Sequence, residues 1–199
     1  FRFGNTYSGD VDMKVMTALE MKSADSNFLR EGKIIRTNGF YTSGDGGAGT
    51  YKISASSGAG AVELDNGMYA ILIPDTMEMD GNKWAVVSAK QFGAVGNGTV
   101  SDQTNLGAAF YCASEATNDD DIYRSIVYIP EGEYKCTKQL YVNIHDVNVV
   151  GDGDSTVIFT DNDYTDAYEF FMWSSGGKNL YLADFKVEAR ERDMSRYYR

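Results

Sequence analysis

The chain has 199 residues, 43% of them apolar, and a formal net charge of −11. That apolar fraction allows a sizeable core and excludes wholesale disorder. The negative field repels phosphate backbones and anionic lipid, which argues against nucleic acid and membrane surfaces as partners, and no apolar run approaches the ~18–20 residues that span a bilayer.

The opening, Phe1-Arg2-Phe3-Gly4-Asn5, has no initiator Met and no apolar h-region behind it. It is not a signal peptide, and it is not expected to be the native start. Residues 1–10 are assigned as an N-terminal arm. Glycine is abundant, with 21 residues against 2 prolines, which suits a turn-rich β protein.

Thr17-Ala18-Leu19-Glu20 has capping-box spacing and predicts a short helix through Lys22. Lys33-Ile34-Ile35-Arg36-Thr37 reads as a strand. Gly44, Gly46, Gly47 and Gly49 predict a tight turn after Gly39-Phe40-Tyr41. Thr50-Tyr51-Lys52-Ile53 alternates as a strand does. Ala61-Val62-Glu63-Leu64 and Tyr69-Ala70-Ile71-Leu72-Ile73 form a strand pair around an Asn66-Gly67 turn, ended by Pro74. Residues 11–88 are read as one small β-rich module.

A second organisation, 89–199, opens with the glycine-spaced loop Phe92-Gly93-Ala94-Val95-Gly96-Asn97-Gly98. Ser101-Asp102-Gln103-Thr104 starts a helix with Asp102 as candidate N-cap. Leu106, Ala109, Phe110 and Ala113 make its apolar stripe, and the helix ends near Thr117. From Ser125 the period becomes two. Strands are predicted over 126–129, 134–137, 140–144, 147–150, 157–159, 170–173 and 180–187. Asn148-Val149-Val150 and Asn179-Leu180-Tyr181 are read as one position repeated a coil later.

The segment 90–187 resembles the pectate-lyase-like superfamily, which includes phage tailspikes. The family opens with F-G-A-x-G-D-G-x-x-D-D-T before a capping helix. Here Phe92-Gly93-Ala94-Val95-Gly96-Asn97-Gly98-Thr99-Val100-Ser101-Asp102-Gln103-Thr104 stands, with Asn97 for the usual Asp and Ser101-Asp102 for the acidic pair. Ile129-Pro130-Glu131-Gly132-Glu133-Tyr134 and Gly151-Asp152-Gly153 match the family's later P-x-G-x-Y and G-x-G phrases. Residues 29–36 and 39–51 are similar to a domain found ahead of such helices in phage tail proteins.

The resemblance implies a mainly β fold: a small β-rich N-terminal module, then the helix-capped start of a right-handed parallel β-helix. Leu140, Val142, Val147, Val149, Val157, Leu180 and Leu182 are expected to form its inward ladders. Further coils are expected beyond Arg199, and the tail 190–199 is expected to be poorly packed without them. The resemblance also implies the proximal part of a tailspike-like virion protein. Such a protein is a homotrimer, held to a tail or baseplate protein, that recognises or degrades host surface polysaccharide through later coils. A secreted bacterial polysaccharide lyase or hydrolase and a non-enzymatic virion appendage are the alternatives.

Candidate chemistry is sparse. The Gly93–Gly98 loop lacks a Walker lysine and a βαβ setting, so it is read as a turn. Glycoside hydrolysis needs two carboxylates roughly 5–10 Å apart. Asp152, Asp154, Asp161, Asp163 and Asp166 lie close in sequence, with calcium binding weighed against solvated turns and the turns preferred. Asp119, Asp120 and Asp121 read as a solvated loop, and His145, the single histidine, as a surface residue. Cys112 and Cys136 fit no zinc spacing and read as buried free thiols. The 14 tyrosines and 2 tryptophans suit glycan stacking, core or subunit contact, with the last two preferred. No catalytic, cofactor-binding or metal-binding residue is assigned. Whether the parent protein is an enzyme stays open, and this segment alone is expected to be inactive.

Overall fold

The computed structural model describes residues 11–12, 16–138, 140–142, 145–160, 171–173 and 178–190. The expected arm 1–10, Asp161, Asp163, Asp166 and the tail from 191 onward lie outside the described residues.

Thr17 opens α1 (Ala18–Lys22) with the expected capping box. Its hydroxyl accepts from Glu20 N–H at 3.1 Å, while the Glu20 carboxylate accepts from Thr17 N–H at 2.7 Å. β1 (Val11–Asp12), β2 (Ile34–Arg36), β3 (Thr50–Ser54), β4 (Ala61–Glu63) and β5 (Tyr69–Ile73) form one sheet in the order β1-β2-β3-β5-β4. β1 runs parallel to β2, and the other pairs are antiparallel. Strand alternation sends Ile35, Tyr51, Ile53, Ala70 and Leu72 into the core.

β6 (Asp75–Met79) and β7 (Asn82–Ser88) form an antiparallel hairpin. Beyond it come β8 (Asn97–Ser101), α2 (Gln103–Ala116), β9 (Arg124–Tyr128), β10 (Gly132–Lys135) and β11 (Leu140–Val142). They are followed by β12 (Val147–Val150), β13 (Thr156–Thr160), β14 (Phe171–Trp173), β15 (Tyr181–Ala183) and β16 (Lys186–Ala189). β7, β9, β12 and β15 stack in parallel in one sheet, with β6 on its outer edge. β8, β10, β13 and β16 stack in a second, and β11 and β14 in a third. Consecutive strands enter different sheets, so the chain winds as a parallel β-helix.

The winding puts like positions in register. Val87, Val127, Val149 and Leu182 form one inward ladder, and Tyr134 and Ile158 meet in the second sheet. Of the expected ladder residues, Leu140, Val147 and Val149 are buried and Leu180 and Leu182 are partly buried against the core. Val157 is also buried but points outward, because its neighbour Ile158 takes the inward position. The Val142 side chain lies outside the described residues.

α2 joins β8 to β9, and its stripe of Leu106, Ala109, Phe110 and Ala113 is buried. It packs against β7, β9, β11 and β12. Met21, Tyr51 and Ile53 of the front share one apolar cluster with Phe92, Phe110, Val127 and Val149.

Three sequence readings change. The hairpin 75–88, assigned to the front module, is hydrogen-bonded into the β-helix sheet through β7 and β9. The strand expected over 180–187 is two strands in two sheets. Asp184 takes φ 58°, a left-handed turn that an aspartate tolerates. Finally, Asn148 lies opposite Tyr181 rather than Asn179, so the perceived repeat was two residues out of register. Identical letters do not set a parallel register; inward burial does.

Candidate functional site

The best-built polar site is the junction between the front sheet and the first coil. The chain turns there through Gly93 at φ 82° and Gly96 at φ 65°, with Gly96 against the Tyr134 ring. Asp102 occupies the N-cap position of α2 but makes no side-chain cap bond. Its fully buried carboxylate reaches back instead, accepting from Val95 N–H at 2.6 Å and Gly96 N–H at 2.9 Å. Burial pushes the Asp102 pKa up, against those two N–H bonds and the Lys90 charge. Lys90 Nζ donates to Val95 O at 2.6 Å and lies 5.5 Å from the Tyr134 ring centre. Its own pKa is lowered by burial. The loop amides that a phosphate would need are already taken by this carboxylate.

The front sheet is tied to the same loop. Tyr41 Oη donates to Gly93 O at 2.9 Å, Tyr51 Oη to Gln91 O at 3.1 Å, and Gln91 Nε2 to Ala48 O at 3.0 Å. Asp45 organises the glycine turn by accepting from the N–H groups of Phe40, Tyr41, Thr42 and Gly47. Partial burial raises its pKa, but these bonds outweigh it and hold the carboxyl below its ordinary range. Sequence reasoning found the turn but not the carboxylate at its centre. The signal available was an Asp bracketed by glycines.

The carboxylates weighed for calcium serve the stacking of coils. Asp152 Oδ2 accepts from Tyr128 Oη at 2.7 Å and Glu131 N–H at 2.8 Å, both one coil earlier. Gly151 has no room for a side chain, since a Cβ would stand 2.3 Å from Asp184 O in the next coil. Asp154 is exposed and pairs with Lys186 at 3.3 Å. Asp119 closes its own loop by accepting from Asp121 N–H. His145 is half exposed, 3.6 Å from Asp146 and 3.5 Å from the Thr117 hydroxyl. Among the described residues, no three His, Cys, Asp or Glu side chains are grouped to hold a metal ion. Cys112 and Cys136 are buried free thiols, and burial pushes each pKa up to about 12.

The two larger sheets present contrasting outer faces. On the β8-β10-β13-β16 sheet the outward rows contain Glu133, Lys135, Lys186 and Glu188. Arg190 crosses this face, pairing with Glu133 at 2.8 Å and Glu188 at 2.9 Å and lying 3.9 Å over the Phe159 ring. On the other sheet, one outward row runs Val86, Ile126, Asn148, Tyr181 and the next Ser88, Tyr128, Val150, Ala183. Trp84 and Arg124 pair beside them, with Tyr123 edge-on to Trp84 at 5.8 Å.

No family model and no curated protein sequence matches the chain. Among solved structures, it is similar to the tailspike protein of Acinetobacter phage vB_ApiP_P1, with TM-score 0.53 and 16% identity over 90% of this chain and 30% of that one. It is also similar to ORF18 of Geobacillus virus E2, with TM-score 0.41 and 16% identity over 92% and 35% of the two chains. A third neighbour is Pantoea stewartii WceF, described as a glycan biofilm modifying enzyme with a bacteriophage tailspike-like parallel β-helix fold. There the TM-score is 0.43, with 11% identity over 90% and 31%. The coil topology together with the first of these likenesses shows a parallel β-helix fold of the tailspike type. The chain spans about a third of the length of these neighbours.

Proposed function

We propose that the chain is the proximal part of a phage tailspike-like protein, which attaches to the virion and carries the coils that recognise host polysaccharide. The observation that supports this best is the similarity over 90% of the chain, front sheet included, to part of a phage tailspike. In this reading the β-rich module and α2 together close the first coil. Their support is the buried stripe of α2 and the apolar cluster shared between the front sheet and the helix. A parallel β-helix end otherwise exposes core and unpaired backbone. The protein acts as a homotrimer at the virion tail, outside the cell. The catalytic or binding groups for the glycan belong to coils beyond this segment.

The test is an antibody raised against this chain, applied to phage particles from the source culture and to the medium of uninfected cells. Gold labelling at the particle tails is the expected result. Antigen in the uninfected medium, with unlabelled particles, would replace this reading with the secreted enzyme.

A further inference from the structure

We infer that Met77, Met79 and Trp84, on the outer face of the β6-β7 hairpin, form a binding site for a soft monovalent metal ion of the copper(I) or silver(I) kind. The inference stands apart from the virion reading, and either can fail alone.

The hairpin fixes the positions. Its register pairs Met77 with Trp84 and Met79 with Asn82, and paired residues of an antiparallel ladder share a face. Ala85 and Val87 are buried and point inward. Trp84 and Val86 therefore point outward, and Met77 and Met79 point outward with them. Asp80 at φ 52° and Gly81 at φ 73° make the two-residue turn that holds this register. β9 braces β7 from its other side.

The spacing suits two sulfur ligands. Opposed Cβ atoms lie ~4.5–5.5 Å apart, which sets the Met77 thioether beside the indole. Met77 and Met79, two residues along one strand, stand roughly 7 Å apart at the backbone. Two metal–sulfur bonds of about 2.3 Å each span up to ~4.6 Å. Methionine is unbranched, so its sulfurs can swing across the difference. Sulfur–aromatic packing accounts for Met77 by itself, but not for Met79, which lies opposite Asn82 at the hairpin tip.

The donor set selects the ion. Thioether sulfur is a soft ligand that favours copper(I), whereas calcium and magnesium take oxygen ligands. The indole face adds attraction for a cation. Both methionines are partly exposed on the outer strand of the sheet, so an ion reaches them from solvent, and Trp84, 7% exposed, forms the floor. Asp75 precedes them on the same face and feels the charge of Arg36. The Arg124 guanidinium lies 5.8 Å from the Trp84 ring, but it is drawn away by its bond to Asn179 O. The chain's net −11 draws cations toward the surface.

Silver(I), which needs no reductant, is the probe. The chain is labelled at its 8 methionine methyl groups and titrated with silver nitrate in chloride-free buffer by NMR. Met77→Leu and Met79→Leu, which nearly conserve volume, assign two of the resonances. Those two are expected to shift first, with tryptophan emission falling in parallel, and calcium and magnesium should move neither. The double leucine variant should bind silver at least ~10-fold more weakly. The buried thiols of Cys112 and Cys136 are common to every variant, so the difference between chains reads the thioethers. Circular dichroism checks that each variant is folded. If the Met77 and Met79 methyls stay unmoved, or the double variant takes silver as tightly as the parent, these side chains only pack the hairpin and the inference is overturned.

Discussion

Replacing Asp102 separates two roles that a helix-starting aspartate can have. If it served as an N-cap, serine would substitute with little loss. Its carboxylate instead spans back to Val95 and Gly96, and it faces Lys90. Serine and alanine both leave those two N–H groups without their acceptor and leave the Lys90 charge half-buried. Each abandoned donor is worth about 1–3 kcal/mol, and Lys90 also loses a nearby opposite charge, which together come to about 3–5. Asp102→Ala and Asp102→Ser should therefore each lose about 3–5 kcal/mol. Asp102→Asn keeps one acceptor and no longer buries a charge, so it should lose about 1–2. Urea unfolding with an m-value near ~2 kcal/mol per M would show the midpoint falling by about 1.5–2.5 M for the first two. A serine variant within about 0.5 M of the parent, beside a clearly weakened alanine variant, would refute the loop-anchor role and restore the cap.

Four further outcomes follow from the same geometry. Val149→Ala, inside the ladder, should cost about 2–3 kcal/mol, and Ile126→Ala, on the outer face, less than about 1, measured side by side in urea. Gly47→Ala would place a Cβ 2.5 Å from Lys90 O and 2.6 Å from Phe40 Cβ. It should lower the melting temperature, whereas Gly67→Ala, with open space but φ 80°, should cost only about 1 kcal/mol of backbone strain. Asp45 has a folded pKa below its unfolded one, so its contribution is present above the ordinary carboxylate range and is lost as pH falls through the folded value. Asp45→Asn should flatten the acid side of the melting-temperature profile, and an unchanged acid limb would contradict this. Cys112 and Cys136 should resist a thiol reagent at pH 8 while folded and both react in urea, since burial holds the thiolate fraction near zero.

Short-range physics was the legible part of the sequence. The capping box at Thr17, the Asn66-Gly67 hairpin and the 106–113 stripe each depend on residues within one or two turns of chain, and each stands where it was read. The parallel register was not legible, because its partners lie a whole coil apart and the coils differ in length. Valine-rich strands look alike from the sequence, so the Asn148 and Asn179 echo was misread. The 75–88 hairpin carries no local mark of which sheet it joins. Nor does Asp102 show, in its neighbours alone, that a loop six or seven residues back needs it more than the helix does.

The position of β6 gives the coil stack a direction. It pairs antiparallel with β7 where the preceding parallel rung would lie, so the run of parallel rungs stops at β7 on that side of the sheet. At the other side β15 and β16 still present open edges among the described residues. The hairpin therefore works as a fixed first template, and rungs are added in one sense only, away from it. During synthesis this template emerges from the ribosome before the strands it will seed. A chain built this way meets its pairing partners in order, while the short β6 stands as the edge strand on that side in place of a full rung.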